Sequence, residues 1–213
     1  MKVDRIIVGK LETNCYIVQK EGLSLIIDPG DEAKKIGNFL KEHKIKPDLI
    51  IATHGHFDHV GAVEDLKKDY PKTKFYISKS DVELMKKSGV LAPLFGCRPL
   101  LKPPKPDGEL ESLLLPELTI LKSPGHSPGG VLLFSKEESP PILFSGDTLF
   151  ENCVGRYDFP LGNKKQQIES LKKIVKLPPK TVVYPGHGER FELSKSFGFL
   201  LKLLAEWSQS DKP

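Results

Sequence analysis

Apolar positions in the first half of the chain come as short runs cut by polar or glycine turns, alternating with stretches of helical spacing. Val3 to Val8, Cys15 to Gln19 and Leu23 to Asp28 read as three short strands. Asp28-Pro29-Gly30 ends this group and leads to a helix over 32–43, which gathers Ile36, Phe39 and Leu40 on one face. Leu49 to Ala52 is a continuous apolar run, too short and too β-branched for a helix, and reads as a buried strand. A helix over 60–68 follows with Val63 and Leu66 inward, then a strand over 74–78 and a short helix over 81–87.

From Ser88 to Gly108 the pattern stops, because Pro93, Pro99, Pro103, Pro104 and Pro106 break any regular element. Leu91, Leu94, Phe95, Leu100 and Leu101 nevertheless give this loop apolar content that must pack somewhere. It reads equally as a wall or lid of a cleft and as idle surface. Strands resume over 118–122, 131–135 and 142–145. A loop over 151–163, a helix over 164–176, a strand over 181–184 and an amphipathic helical stretch over 191–207 complete the chain. Each half therefore runs strands first and helices second. This order points to an α/β protein, an αββα four-layer sandwich of two mixed β-sheets flanked by helices. No linker or repeat divides the chain, so residues 1–213 read as a single domain.

Composition narrows the function classes. With 38% hydrophobic and 28% charged residues the chain is of ordinary globular type, and 213 residues suffice for a sizeable core. The net charge of +4 comes from lysine pairs spread over helix faces, with no basic stripe interleaved with aromatics, so nucleic acid is not an expected partner. No stretch approaches the ~18 to 20 apolar residues of a membrane span, and the first residues lack a signal-peptide core. Three cysteines outside any CxxC spacing fit reduced thiols, so a cytoplasmic protein is expected. Cys153 reads as a packed thiol.

The chemistry concentrates in Thr53-His54-Gly55-His56-Phe57-Asp58-His59, directly after the run 49–52. Three of the chain's six histidines fall here, at the carboxyl end of an expected strand, where open α/β sheets hold their ligands. His126 and His187 sit in similar small-residue loops after apolar runs, Ser123-Pro124-Gly125-His126 and Tyr184-Pro185-Gly186-His187. Asp147 follows 142–144 in Ser145-Gly146-Asp147. His43, among Lys41, Glu42 and Lys44, reads as solvated surface. Imidazoles and carboxylates are ligands for zinc, iron or manganese. Five histidines and two acids at strand ends read most economically as a two-metal site.

At these motifs the chain resembles the metallo-β-lactamase-fold hydrolases, and within them the glyoxalase II-like branch, hydroxyacylglutathione hydrolases, here without the added C-terminal helical domain. The matching stretches are THGHFDH (53–59), SPGHSPGG (123–130), SGDTLF (145–150), VGRYDFPLGN (154–163) and YPGHG (184–188), in this order. The resemblance implies the same sandwich fold. It assigns His54, His56 and His126 to one metal and Asp58, His59 and His187 to the other, with Asp147 bridging. Asp58 would also orient a metal-bridging hydroxide as nucleophile. The expected cofactors are two divalent metal ions, zinc first, with iron or manganese also accepted, and the expected substrate is a small-molecule thioester. Asp28 is either a turn or helix cap or, as the resemblance implies, a support beneath the metal site. Arg156 either grips a substrate carboxylate or pairs with Asp158 to hold its own loop. Zinc β-lactamases commonly offer cysteine where this chain has Asp147, which counts against β-lactam hydrolysis. The alternative is a mononuclear iron persulfide dioxygenase, and a weaker third reading is a non-catalytic metal-binding protein. Sequence leaves open the physiological substrate, the metal and the oligomeric state.

Overall fold

The computed structural model describes residues 1–100 and 102–210, so Leu101 lies outside the described residues. The chain forms two compact units, Met1–Leu114 and Leu115–Pro213. In the first, β1 (Lys2–Val8), β2 (Thr13–Lys20), β3 (Leu23–Ile27), β4 (Leu49–Ile51), β5 (Lys74–Ile77) and β6 (Gly108–Glu109) lie side by side in chain order among the described residues. Strands β1 to β3 are antiparallel. Their second turn, Glu21-Gly22, has positive φ at both residues (50° and 86°), the two-residue hairpin geometry that follows the strand twist. From β3 onward the pairs are parallel, so each connection needs a crossover. Those crossovers carry α1 (Ala33–Glu42), α2 (Phe57–Val60), α3 (Val63–Asp69) and α4 (Val82–Leu91). Ile36 and Leu40 of α1 and Val63 and Leu66 of α3 are buried with Ile17, Ile26, Ile50 and Phe75 of the sheet, as the helical spacing requires.

Helix α4 continues beyond the expected end at Lys87, through Ser88 and Gly89 to Leu91. Both small residues are placed by packing. Ser88 Oγ donates to the Gly55 carbonyl at 2.9 Å. A Cβ on Gly89 would stand 2.7 Å from the Cβ and carbonyl oxygen of Leu100. Ala92–Phe95 forms a further 3₁₀ turn. Of the loop's apolar residues Leu100 packs on the core, whereas Val90 (67%) and Leu94 (80%) stay exposed.

In the second unit the order is β13-β12-β9-β8-β7 among the described residues, with β7 (Thr119–Lys122), β8 (Val131–Ser135), β9 (Ile142–Gly146), β12 (Val182–Pro185) and β13 (Phe191–Glu192). Strands β9 and β12 are parallel and the other pairs antiparallel. Every residue of β8 and β9 is buried. Their connecting turn, 136–141, is mostly exposed and charged or proline-rich. Helix α5 (Lys164–Ile174) is capped by the Asn163 side chain, which accepts from Gln166 N at 3.0 Å. Leu171 and Ile174 of α5 join Leu200 and Leu204 of α6 (Ser194–Ser210) in a core with Leu143 and Val183.

Two further expectations are corrected here. The stretch from Phe191 is not helical from its start: Phe191 pairs with Val183 as an edge strand, and the helix begins at Ser194. The expected loop 151–163 holds β11 (Cys153–Val154), which pairs with β10 (Leu149–Phe150) in a hairpin. No helix among the described residues is long and apolar enough to cross a membrane.

Candidate metal centre

In the first unit the site grows from the ends of β3 and β4. Asp28 follows β3 with φ of 53° and is 1% exposed. Its Oδ1 accepts from Thr53 N and its Oδ2 from Thr53 Oγ1, both at 2.7 Å. Asp28 Oδ2 also lies 3.0 Å from His59 Nδ1. One buried carboxylate thus ties the end of β4 to an imidazole and turns that ring so that Nε2 faces away. This is how an outer carboxylate orients a metal-binding histidine. His59 Nε2 in turn faces Asp58 Oδ2 at 3.6 Å. Helix α2 is a single turn, which brings Asp58 and His59 round after the extended His56 (φ −72°, ψ 147°). His54 Nε2 and His56 Nδ1 face each other at 2.9 Å. Such a pair either shares a proton or, unprotonated, presents two lone pairs to one acceptor. The loop between them is held by Asp81, buried, whose Oδ2 accepts from Gly55 N at 2.8 Å.

Beside Asp58 opens a cavity of about 220 Å³, lined among others by Lys10, Thr13, Phe57, Cys97 and Arg98. Burial and the nearby charges of Asp58 and Asp31 raise the Cys97 thiol above its ordinary pKa. It is therefore protonated at neutral pH and a poor nucleophile. Cys15 is fully buried, and burial with the charge of Asp28 pushes it up as well. Cys153 is exposed and not packed as expected, because it sits on the outer side of a two-residue strand.

In the second unit β9 and β12 run parallel, so Asp147 and His187 leave the same end of the sheet. Asp147 Oδ2 lies 3.6 Å from His126 Nε2 and 3.6 Å from His187 Nε2. His126 Nδ1 is 2.7 Å from the Arg156 carbonyl oxygen. A carbonyl only accepts, so Nδ1 carries a proton, and in the neutral ring that leaves Nε2 as the ligand nitrogen. The His126 loop rests on α5. Gly125 has φ of +144°, and a Cβ there would be 2.4 Å from Gln167 Cα. Its carbonyl accepts from Asn163 N at 2.7 Å. Gln167 Nε2 donates to the Thr148 carbonyl at 3.1 Å, so α5 backs the Asp147 loop too.

The sequence-predicted residues therefore gather in two groups, His54, His56, Asp58 and His59 with Asp28 behind them, and His126, Asp147 and His187. Their donors, imidazole nitrogens and carboxylate oxygens, fit divalent zinc, iron or manganese. Arg156 joins the second group only through its carbonyl. Its guanidinium makes a two-point pair with Asp158 (2.9 and 2.8 Å) and lies 4.1 Å over the Phe159 ring. His43 is exposed, as expected, and stacks on Phe39. Sequence reading did not single out Thr13, Asp81 or Gln167, which carry no motif and act across long chain separations.

The sequence pattern of the metallo-beta-lactamase superfamily matches residues 8–187. A hydroxyacylglutathione hydrolase, GloC, from Haemophilus influenzae is 32% identical, with 88% of this chain and 91% of that protein covered. The di-iron-bound crystal structure of TTHA1623 is 37% identical with a TM-score of 0.85, covering 91% of this chain and 96% of that one. The BLEG-1 B3 metallo-beta-lactamase structure is 29% identical with a TM-score of 0.83, covering 92% and 97%. The chain belongs to the metallo-β-lactamase superfamily and has its fold of mixed sheets flanked by helices.

Proposed function

We propose that this chain is a metal-dependent hydrolase of small thioesters, of the glyoxalase II-like branch, with two divalent ions as cofactors. In this reading His54, His56 and His126 serve one ion, Asp58, His59 and His187 the other, and Asp147 both, the division that the motifs imply. The observation that carries it is Asp147, one carboxylate oxygen held at 3.6 Å from each of two imidazole nitrogens. Such an oxygen suits a shared ligand. The span of the family match over both units supports residues 1–213 as a single domain. The three unpaired cysteines fit a reducing, cytoplasmic setting.

When bound, the ions supply Lewis acidity and lower the pKa of coordinated water to roughly 7. The protein's own groups do the rest. Asp28 aims His59, the Arg156 carbonyl sets the tautomer of His126, and Asp58 offers a carboxylate to orient the attacking water. A thiolate leaves without taking a proton, so thioester cleavage asks for no separate acid. A β-lactam nitrogen or an alkoxide asks for one, which favours thioesters over the reaction of the B3 relative. Arg156 could grip a substrate carboxylate at two points through Nε and Nη2 only by giving up its pair with Asp158.

The test is metal analysis of protein isolated without added metal, followed by assays of thioesters, a chromogenic cephalosporin and glutathione persulfide. We expect about two metals per chain and thioester cleavage that proceeds without oxygen. S-lactoylglutathione is one member of the thioester panel, chosen for the likeness to hydroxyacylglutathione hydrolase. Oxygen uptake with persulfide by protein holding one iron would establish the dioxygenase alternative instead, and cleavage of the cephalosporin alone would establish a lactamase.

A further inference from the structure

Thr13 opens β2 and is 1% exposed. Its Oγ1 donates to Asp58 Oδ2 at 3.2 Å, across 45 residues of sequence. The same Oδ2 is the oxygen that faces His59 Nε2 at 3.6 Å. Asp58 sits on a helix of only four residues, too short to be stable without tertiary contacts. Thr13 reaches it from a strand locked to β1 by the pairing Val8↔Thr13. A paired strand therefore holds the carboxylate end of a proposed metal ligand.

We propose that Thr13 is a positioning residue. Its hydroxyl sets the plane of the Asp58 carboxylate so that Oδ2 and His59 Nε2 face one point before any metal arrives. The inference rests on the two-metal reading above. The competing account is that threonine merely suits a strand, with an incidental hydrogen bond. A buried hydroxyl needs an acceptor under either account, so the bond alone does not decide between the two.

The hydroxyl can be separated from the packing. Thr13→Val keeps the β-branched shape and loses the donor, whereas Thr13→Ser keeps the donor. Zinc is titrated into metal-free protein against a competing chelator, with thermal unfolding as the check on the fold. We expect Thr13→Val to keep the first zinc equivalent and to bind the second roughly tenfold more weakly, the usual lower bound for losing an outer partner of a ligand. Thr13→Ser should stay within about threefold of the parent. In an Asp58→Ala background, Thr13→Val should change zinc binding no further. Three results would overturn the proposal: unchanged second-site affinity in Thr13→Val, equal loss in Thr13→Ser, or an undiminished effect without Asp58. If Thr13→Val and Thr13→Ala both fail to fold while Thr13→Ser folds, the role is packing and the proposal also fails. None of these readouts uses a substrate, so failure on the thioester panel leaves them intact. A parent protein that binds one zinc only would instead sink the two-metal reading.

Discussion

Asp147→Ala should lose both metals and nearly all activity. Its Oδ2 faces two imidazole nitrogens at once, so its removal takes a donor from each ion of the proposed pair. Metal assistance is worth several kcal/mol at the transition state. At about 1.4 kcal/mol per power of ten, that predicts a fall of roughly a thousandfold or more. Metal content per chain and single-turnover rates would be measured on the same sample. Asp58→Ala is the contrast, since it should lose mainly the ion served by His59 and His187. An Asp147→Ala protein that kept two metals and its rate would refute the shared-ligand assignment.

Gly30→Ala should be the most damaging small substitution in the first unit. A Cβ there would lie 1.5 Å from the Asp58 carbonyl oxygen and 2.5 Å from its carbon. The approach is mutual, because a Cβ on Gly61 would lie 2.2 Å from the Gly30 oxygen. Both obstacles are backbone and cannot swing aside. Overpacking a core costs about 1–3 kcal/mol and occasionally more, and a clash with fixed backbone belongs at or above the top of that range. A loss of about 3 kcal/mol would lower the unfolding midpoint by roughly 6–12 °C in a protein of this size. Metal binding should fall with it, since relief requires α2 to move and α2 carries Asp58 and His59. Gly198→Ala is the control: its Cβ meets nothing within 4 Å, and in α6 the change should be neutral or stabilising by up to about 1 kcal/mol. If Gly30→Ala unfolded within a degree of the parent and kept its metals, the close approach would carry no energetic weight.

The loops of the proposed ligands stood out in the sequence because each combines a rare residue type with a strand end. His54, His126 and His187 all follow apolar runs that proved to be strands or their immediate continuations. The groups that hydrogen-bond around the proposed ligands were less legible. Asp28 was marked by the Asp-Pro-Gly turn and the family likeness, but Asp81 looked like an ordinary helix start and Thr13 like an ordinary strand residue. Their contacts lie 26 and 45 residues away, which no local window contains. The same limit explains the errors in the elements. Ser88 and Gly89 are poor helix formers, yet Gly55 and Leu100 give them reasons to be helical. Phe191 has the right spacing for the helix after it, but Val183 offers an edge to pair with. Two-residue strands such as β10 and β11 are too short to show an alternation.

The antiparallel pair β8–β9 has a practical consequence. Its amino and carboxyl ends lead from the His126 loop and into Asp147, whereas the turn 136–141 joins the two strands at their other ends. Five residues at ~3.3 Å each put about 16 Å of buried strand between that turn and the proposed ligands. The turn is mostly exposed and its residues pair with neither strand, so it is a natural point of attachment for a fluorophore or a fused domain. Cargo joined there would load the far end of the β8–β9 ladder, away from the His126 and Asp147 loops.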